Sequence, residues 1–275
     1  MKKIRVFAQN KAAVGGVLIL AVFTFVAIAA PILTPYNPVT ENLGSVFQSP
    51  SWAHPFGTDD LGRDMLSRIM YGGRYTLMIG VAAVSLATAI GVPLGLISGY
   101  FGGRIDMVIQ RVTDIMLAFN PFLLALVLVA VLGVGLRSVI IAAGIGVVPQ
   151  FIRLTRGQAL SLREEVYVEA AQAFGERSLT IIRRHVLRNS WTPIIVFATL
   201  NVGLTILVAA GLGFLGLGVQ APLPEWGTML GEGRSYIFYA SYTTTLPGLA
   251  IFLGVLAFNM AGDGLRDALD PSLRV

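Results

Sequence analysis

Phe151 to Asn189 reads FIRLTRGQALSLREEVYVEAAQAFGERSLTIIRRHVLRN. It is the one long polar interval in a chain that is otherwise mostly apolar. Between Arg153 and Arg188 it holds seven arginines (Arg153, Arg156, Arg163, Arg177, Arg183, Arg184, Arg188) against four glutamates (Glu164, Glu165, Glu169, Glu176), a net +3. Clustered arginines between hydrophobic spans place a loop on the cytoplasmic side. The pattern is also helical. Val166, Ala170, Ala173 and Phe174 fall at i, i+4, i+7 and i+8, one face of a helix that Gly175 ends in a left-handed cap. A second short helix is expected from Ser178 as N-cap, with Leu179, Ile182 and Val186 on one side. Two short helices at a bend, with an apolar stripe and a basic rim, make a docking element for another protein.

The rest of the chain supports a loop between membrane spans. Of 275 residues 55% are hydrophobic and 13% charged, about half the charged share of a soluble domain; the mean hydropathy is +0.74. Without cysteine there is no disulfide framework, thiolate metal site or cysteine nucleophile. The isoelectric point near 9.7 does not point to nucleic acid, because the basic residues gather in particular loops. Six spans are expected, at 14–32, 75–103, 115–136, 138–152, 193–212 and 246–260. Segments assigned to the inside carry 15 of the 20 basic residues, those outside 5, so both termini are expected in the cytoplasm. Ala27-Ile28-Ala29 imitates a signal-peptidase site, but the apolar run is longer than a signal peptide's core, and an uncleaved helix is expected.

Between the first two spans lies an external segment. There Thr58 is expected to cap an amphipathic helix, with Asp59 and Asp60 in its first turn, Leu61, Met65 and Ile69 on its apolar face and Gly72-Gly73 as its stop. The second span carries Gly91, Gly95 and Gly99 in register, a surface for close helix approach either within the chain or between subunits. Asn120-Pro121 is expected to kink the third span. The fourth is short enough for the arginines at its ends to snorkel. A second external segment, 213–245, holds Glu225, Glu232, Arg234 and an aromatic cluster.

Glu169-Ala170-Ala171 followed at the right offset by Gly175 resembles the EAA loop of ATP-binding-cassette importer permeases. The family pattern carries proline after the leucine of the HVL segment, where this chain has Arg188. The FGTD-x-x-GRD stretch from Phe56 to Asp64, the APLPEWGTML segment and the DALDP tail resemble the dipeptide, oligopeptide and nickel branch of that family. The resemblance implies an all-α membrane protein of six helices, a type I importer transmembrane domain. Residues 1–73 form a first helix and external segment, 74–264 the five-helix domain with its coupling loop at about 153–190, and 265–275 a cytoplasmic tail. It implies an inner-membrane permease subunit passing a solute, first of all a di- or oligopeptide, with a nickel chelate as the alternative cargo. It further implies a homologous second permease, two ATP-binding subunits and a periplasmic solute-binding protein. ATP is bound by the partner, no cofactor or metal by this chain, and Glu169, Ala170, Ala171 and Gly175 couple to the ATPase.

The residues themselves weigh against other chemistries. No GxxxxGK[ST] occurs, and all three lysines lie within the first eleven residues, so this chain holds no phosphate-binding loop. Its two histidines, His54 and His185, fall on opposite sides of the membrane by this topology and cannot share a metal or a dyad. The expected spans carry no ionisable side chain in their cores. That disfavours a proton-coupled secondary transporter, which stands with a channel as the alternative class. The polar Gln150 and Asn201 read as helix-packing residues.

Overall fold

The computed structural model describes Phe7 and residues 10–269. The basic Lys2, Lys3 and Arg5 and the end of the DALDP tail lie outside the described residues. Helix α1, Lys11–Leu33, is capped by Asn10, whose Oδ1 accepts from the Ala13 amide at 3.1 Å. Its 23 residues reach about 35 Å, enough for a ~30 Å hydrocarbon core. Ala13, Gly16, Ala27 and Ala30 are buried, while Leu18, Phe25, Ile28 and Ile32 face outward. A Cβ on Gly16 would stand 2.7 Å from Met260 Cβ, so this glycine sets how closely α1 meets the last helix.

Helix α2 runs from Met65 to Phe101, through the expected 73/74 domain boundary, and corrects the external helix read from the sequence. Its N-cap is Asp64, which accepts from the Ser67 amide at 2.8 Å. Thr58 instead bridges to Asp64. Asp59 lies in the preceding turn, accepting from the Leu61 and Arg63 amides. Gly72 and Gly73 do not stop the helix. They are buried in its interior where Trp226 lies against it, and a Cβ on Gly72 would come 2.9 Å from Trp226 Cδ1. A close approach of aromatic to backbone, rather than a chain break, explains the pair.

Two further helices correct the expected third span. α3, Gly103–Leu117, and α4, Pro121–Leu132, meet at a 91° bend. Asn120 caps α4 by accepting from the Phe122 amide at 2.9 Å, with Pro121 in the first turn. The break falls where the sequence places a kink but divides the span. Twelve residues reach only about 18 Å, so α4 cannot cross by itself. α5, Leu136–Leu162, is longer than the expected 138–152 by ten residues at its C-terminal end, and includes Arg153 and Arg156. Arg153 and Arg156 tie α3 to α5. Arg156 forks onto Asp106 at 2.6 and 2.7 Å, and Arg153 donates to Asp114 at 2.9 Å.

Gly91, Gly95 and Gly99 pack α2 against α5 inside one chain: Cβ atoms there would come 2.5 Å from Phe151 Cβ, 2.0 Å from Thr155 Oγ1 and 2.6 Å from the Arg156 carbonyl. After a short helix α6, Val166–Ala173, comes α7, Ser178–Phe214, which passes through a π turn at Ile182–Val186. The external segment folds back as α8, Trp226–Gly233, and α9, Tyr242–Leu269, closes the described chain, taking residues 265–269 of the expected tail into its last turns. Among the described residues five helices are long and apolar enough to cross a membrane, six with the bent pair as one.

The two segments read from the sequence as external pack on each other. Arg63 pairs with Asp59 at 2.6 Å, and Arg68 with Glu232 on α8 at 2.9 Å and Asp59 at 3.3 Å. Phe47 sets its ring edge-on to Tyr236 and Tyr239, and the Tyr242 hydroxyl lies 3.0 Å from the Gln48 and Thr58 carbonyls. Burial pushes the Glu225 carboxyl, N-cap of α8, above its usual range. Opposing this, it accepts from the Gly227 and Thr228 amides and the Thr76 and Thr228 hydroxyls. The sequence showed Glu225 as one more exterior charge. Nothing local marks it as buried.

Candidate functional site

At the opposite end of the bundle from these external segments, α6 stands between the ends of α5 and α7. Its sequence divides it into two faces. Val168 and Ala171, three residues apart, turn inward and join Ile181, Ile182 and Val186 in the hydrophobic core. The stripe of Val166, Ala170, Ala173 and Phe174 turns outward, with Val166 78% and Phe174 90% exposed. A stripe read from spacing is therefore present as a helix face, but one that nothing among the described residues covers. Water would leave those side chains unfavourably placed, and a partner surface relieves that cost.

The exit from α6 is fixed by its backbone. Gly175 has φ +78°; its amide donates to the Gln172 carbonyl at 2.9 Å and the Glu176 amide to the Ala171 carbonyl at 3.0 Å. That pair of bonds is the Schellman closure expected of a glycine just past a helix end. Ser178 is not the cap of the next helix. Arg177 holds that position without a side-chain bond, and Leu179 is exposed while Ile181 and Ile182 turn inward. With arginine rather than proline at 188, the chain keeps its amide and the helix runs on into the membrane span.

Side-chain bonds hold the loop to the bundle. Gln172 donates to the Tyr100 hydroxyl at 3.3 Å, Asn189 to the Tyr167 hydroxyl at 3.1 Å, and His185 Nε2 lies 3.0 Å from Glu176 Oε2. His54, beside Asp64 at 2.9 Å, belongs to the other end. The four residues singled out in the sequence are thus gathered on one short helix and its cap. Glu169 and Ala170 are exposed, and Gly175 has open space where a Cβ would stand. Ala171, 9% exposed, faces the chain's own core. Glu169 forms no ion pair within 4 Å among the described residues and lines an open cavity of about 560 Å3 with Tyr100, Arg163 and Glu176.

A family model described as "Binding-protein-dependent transport system inner membrane component" matches residues 91–275. The chain belongs to that family. A second model, for the N-terminal transmembrane domain of oligopeptide transport permease C, matches residues 3–50. The permease is 52% identical to the dipeptide transport system permease protein of Alkalihalophilus pseudofirmus, over 97% of this chain and 88% of that protein. It is 45% identical to a di/tripeptide transport system permease protein of Pseudomonas aeruginosa (98% and 90% covered). Against a glutathione transport system permease protein of Pectobacterium atrosepticum it is 44% identical (98% and 90%). A solved structure of the methionine ABC transporter MetNI in inward-facing form shares the fold, with TM-score 0.60 and 18% identity over 75% of this chain and 98% of that one. The permease is therefore a multi-pass inner-membrane subunit of an ATP-driven importer. It carries no ATPase of its own and works with an ATPase and a solute-binding protein.

Proposed function

We propose that this permease forms half of the membrane pathway for a di- or oligopeptide, pairing with a second, homologous permease and two ATPase subunits. The peptide cargo is supported by relatives named for dipeptide, di/tripeptide and glutathione transport. Both termini lie in the cytoplasm in this reading. Asn10 at the start of α1 donates to Asp267 near the end of α9 at 3.0 Å, so the first helix begins beside the end of the last, on one side of the bundle. On that side α6 seats in the ATPase, Val166 and Phe174 entering its cleft and Glu169 meeting a basic group. ATP-driven closure of the motors then moves the loop as a unit and opens the spans outward. Hydrolysis resets them.

The observation that carries this reading is the uncovered apolar face of α6, held at a fixed angle by the Gly175 closure. Glu169→Lys, Ala170→Trp and Gly175→Val are each expected to release the ATPase or uncouple hydrolysis from dipeptide uptake, with the permease still inserted at near-normal levels. At Gly175 the penalty is backbone strain of about 1–2 kcal/mol, since open space rules out a clash. Gly175→Asn, which tolerates the left-handed region, should retain coupling. Glu164→Lys is the control, its side chain 75% exposed. Ala171→Trp reports instead on integrity of the loop. Wild-type uptake with the ATPase bound in all three variants would overturn the assignment.

A further inference from the structure

Just beyond the docking helix, the start of α7 carries an open pocket of about 740 Å3 that the coupling role does not use. Arg183, Arg184 and Arg188 line it with Leu179, Leu187 and Trp191. The π turn at Ile182–Val186 shapes this grouping. Its i→i+5 spacing brings Arg183 and Arg188 about one turn apart on a face where α-helical spacing would separate them. Arg184, Leu187, Arg188 and Trp191 already share that face at i, i+3, i+4 and i+7. Among the described residues neither Arg183 nor Arg188 has a carboxylate within 4 Å, and Arg184 reaches only Glu176, at 3.8 Å. Glu176 also holds His185 at 3.0 Å. The pocket therefore keeps a strong positive charge. Trp191, 52% exposed, stands a turn further along α7 toward the apolar span, and tryptophan is a side chain that favours the boundary of headgroups and acyl chains.

We infer that this pocket binds the phosphate of an anionic phospholipid of the cytoplasmic leaflet, resting on the reading that puts the α6 loop in the cytoplasm. Guanidinium forks match phosphate oxygens in pairs. The leucines and Trp191 continue from that charge toward the apolar span, which suits a ligand with a charged head and an acyl tail. A basic loop needs only scattered arginines to obey the orientation rule. Here three of them line one open pocket together with Trp191.

Native mass spectrometry of the purified permease–ATPase complex tests this, with phosphatidylglycerol, phosphatidylcholine and inorganic phosphate as probes. One phosphatidylglycerol should bind at least about tenfold more tightly than phosphatidylcholine, and the double variant Arg183→Gln/Arg188→Gln should weaken it roughly thirtyfold. Arg177→Gln, an exposed arginine outside the pocket, should change it by less than about threefold. Size-exclusion profiles confirm that each variant is folded. No headgroup preference, or equal weakening by Arg177→Gln, would reduce the site to a diffuse basic surface and overturn the inference. So would displacement of the lipid by inorganic phosphate at comparable concentration, which marks a free-anion site. Loss of the ATPase from the double variant with lipid affinity unchanged places these arginines against the motor and also overturns it. Failure of the coupling reading shows separately, as wild-type transport by Glu169→Lys with lipid retention intact.

Discussion

Gly95 and Gly157 show how differently one residue type is used on two helices. A Cβ on Gly95 would meet Thr155 Oγ1 at 2.0 Å and the Ile152 carbonyl at 2.5 Å, and a backbone carbonyl in a packed helix cannot step aside. Gly95→Val is therefore expected to part α2 from α5, at more than the ~1–3 kcal/mol usual for overpacking. The measurable outcome is loss of folded permease from the membrane. Gly157 has nothing within 4 Å of its Cβ position. Gly157→Ala should be neutral or raise stability by up to ~1 kcal/mol, from helix propensity alone. Similar expression and melting of the two variants would show that the α2–α5 contact is looser than drawn. In the sequence the in-register triplet 91, 95, 99 was legible as a packing face. Whether it served this chain or a subunit interface was not, because spacing names a face and not its partner.

At the scale of elements, the external segments are held to each other by buried charge as well as by aromatic packing. Asp59 accepts from two backbone amides and from Arg63, and lies 3.3 Å from Arg68. Both guanidiniums are almost fully buried. Asp59→Ala leaves them with Glu232 and Asp60 as acceptors, and removing one partner of such a pair typically costs about 3–5 kcal/mol. Hydrogen exchange should then rise in 42–64 and in α8 together, while α5 and α6 stay protected. Faster exchange in the first segment alone would mean that the two are not one unit. This packing also accounts for the first segment's place against the bundle. Asp59 and Asp60 were read as first-turn helix residues. The chain uses Asp59 for a turn, from which its carboxylate reaches both Arg63 and Arg68.

For the whole molecule, the orientation makes a clean prediction in a protein without cysteine. Single cysteines at Ser51 and Phe238 should react with an impermeant reagent added outside, and one at Ser161 should not. Phe238, 100% exposed, is a better probe than Thr228, whose hydroxyl donates to the Val219 carbonyl at 3.1 Å. Labelling at 161 from outside would invert the topology and remove α6 from the ATPase side.

What the sequence determined by itself was everything set by local composition and period. Long apolar runs require spans, and the Val166 to Gly175 pattern makes a short helix with a left-handed stop. Helix ends were less legible. α5 continues past Ile152 because Arg153 and Arg156 find Asp114 and Asp106 on α3, and α2 starts at Met65 and passes Gly72-Gly73 because Trp226 lies against those glycines. Both partners come from elsewhere in the chain, about 40 and 150 residues away. The division of the EAA residues was likewise decided only by the tertiary structure. Ala170 and Ala171 are alike in sequence, but a helix fixed by Val168 in the core turns one outward and the other in.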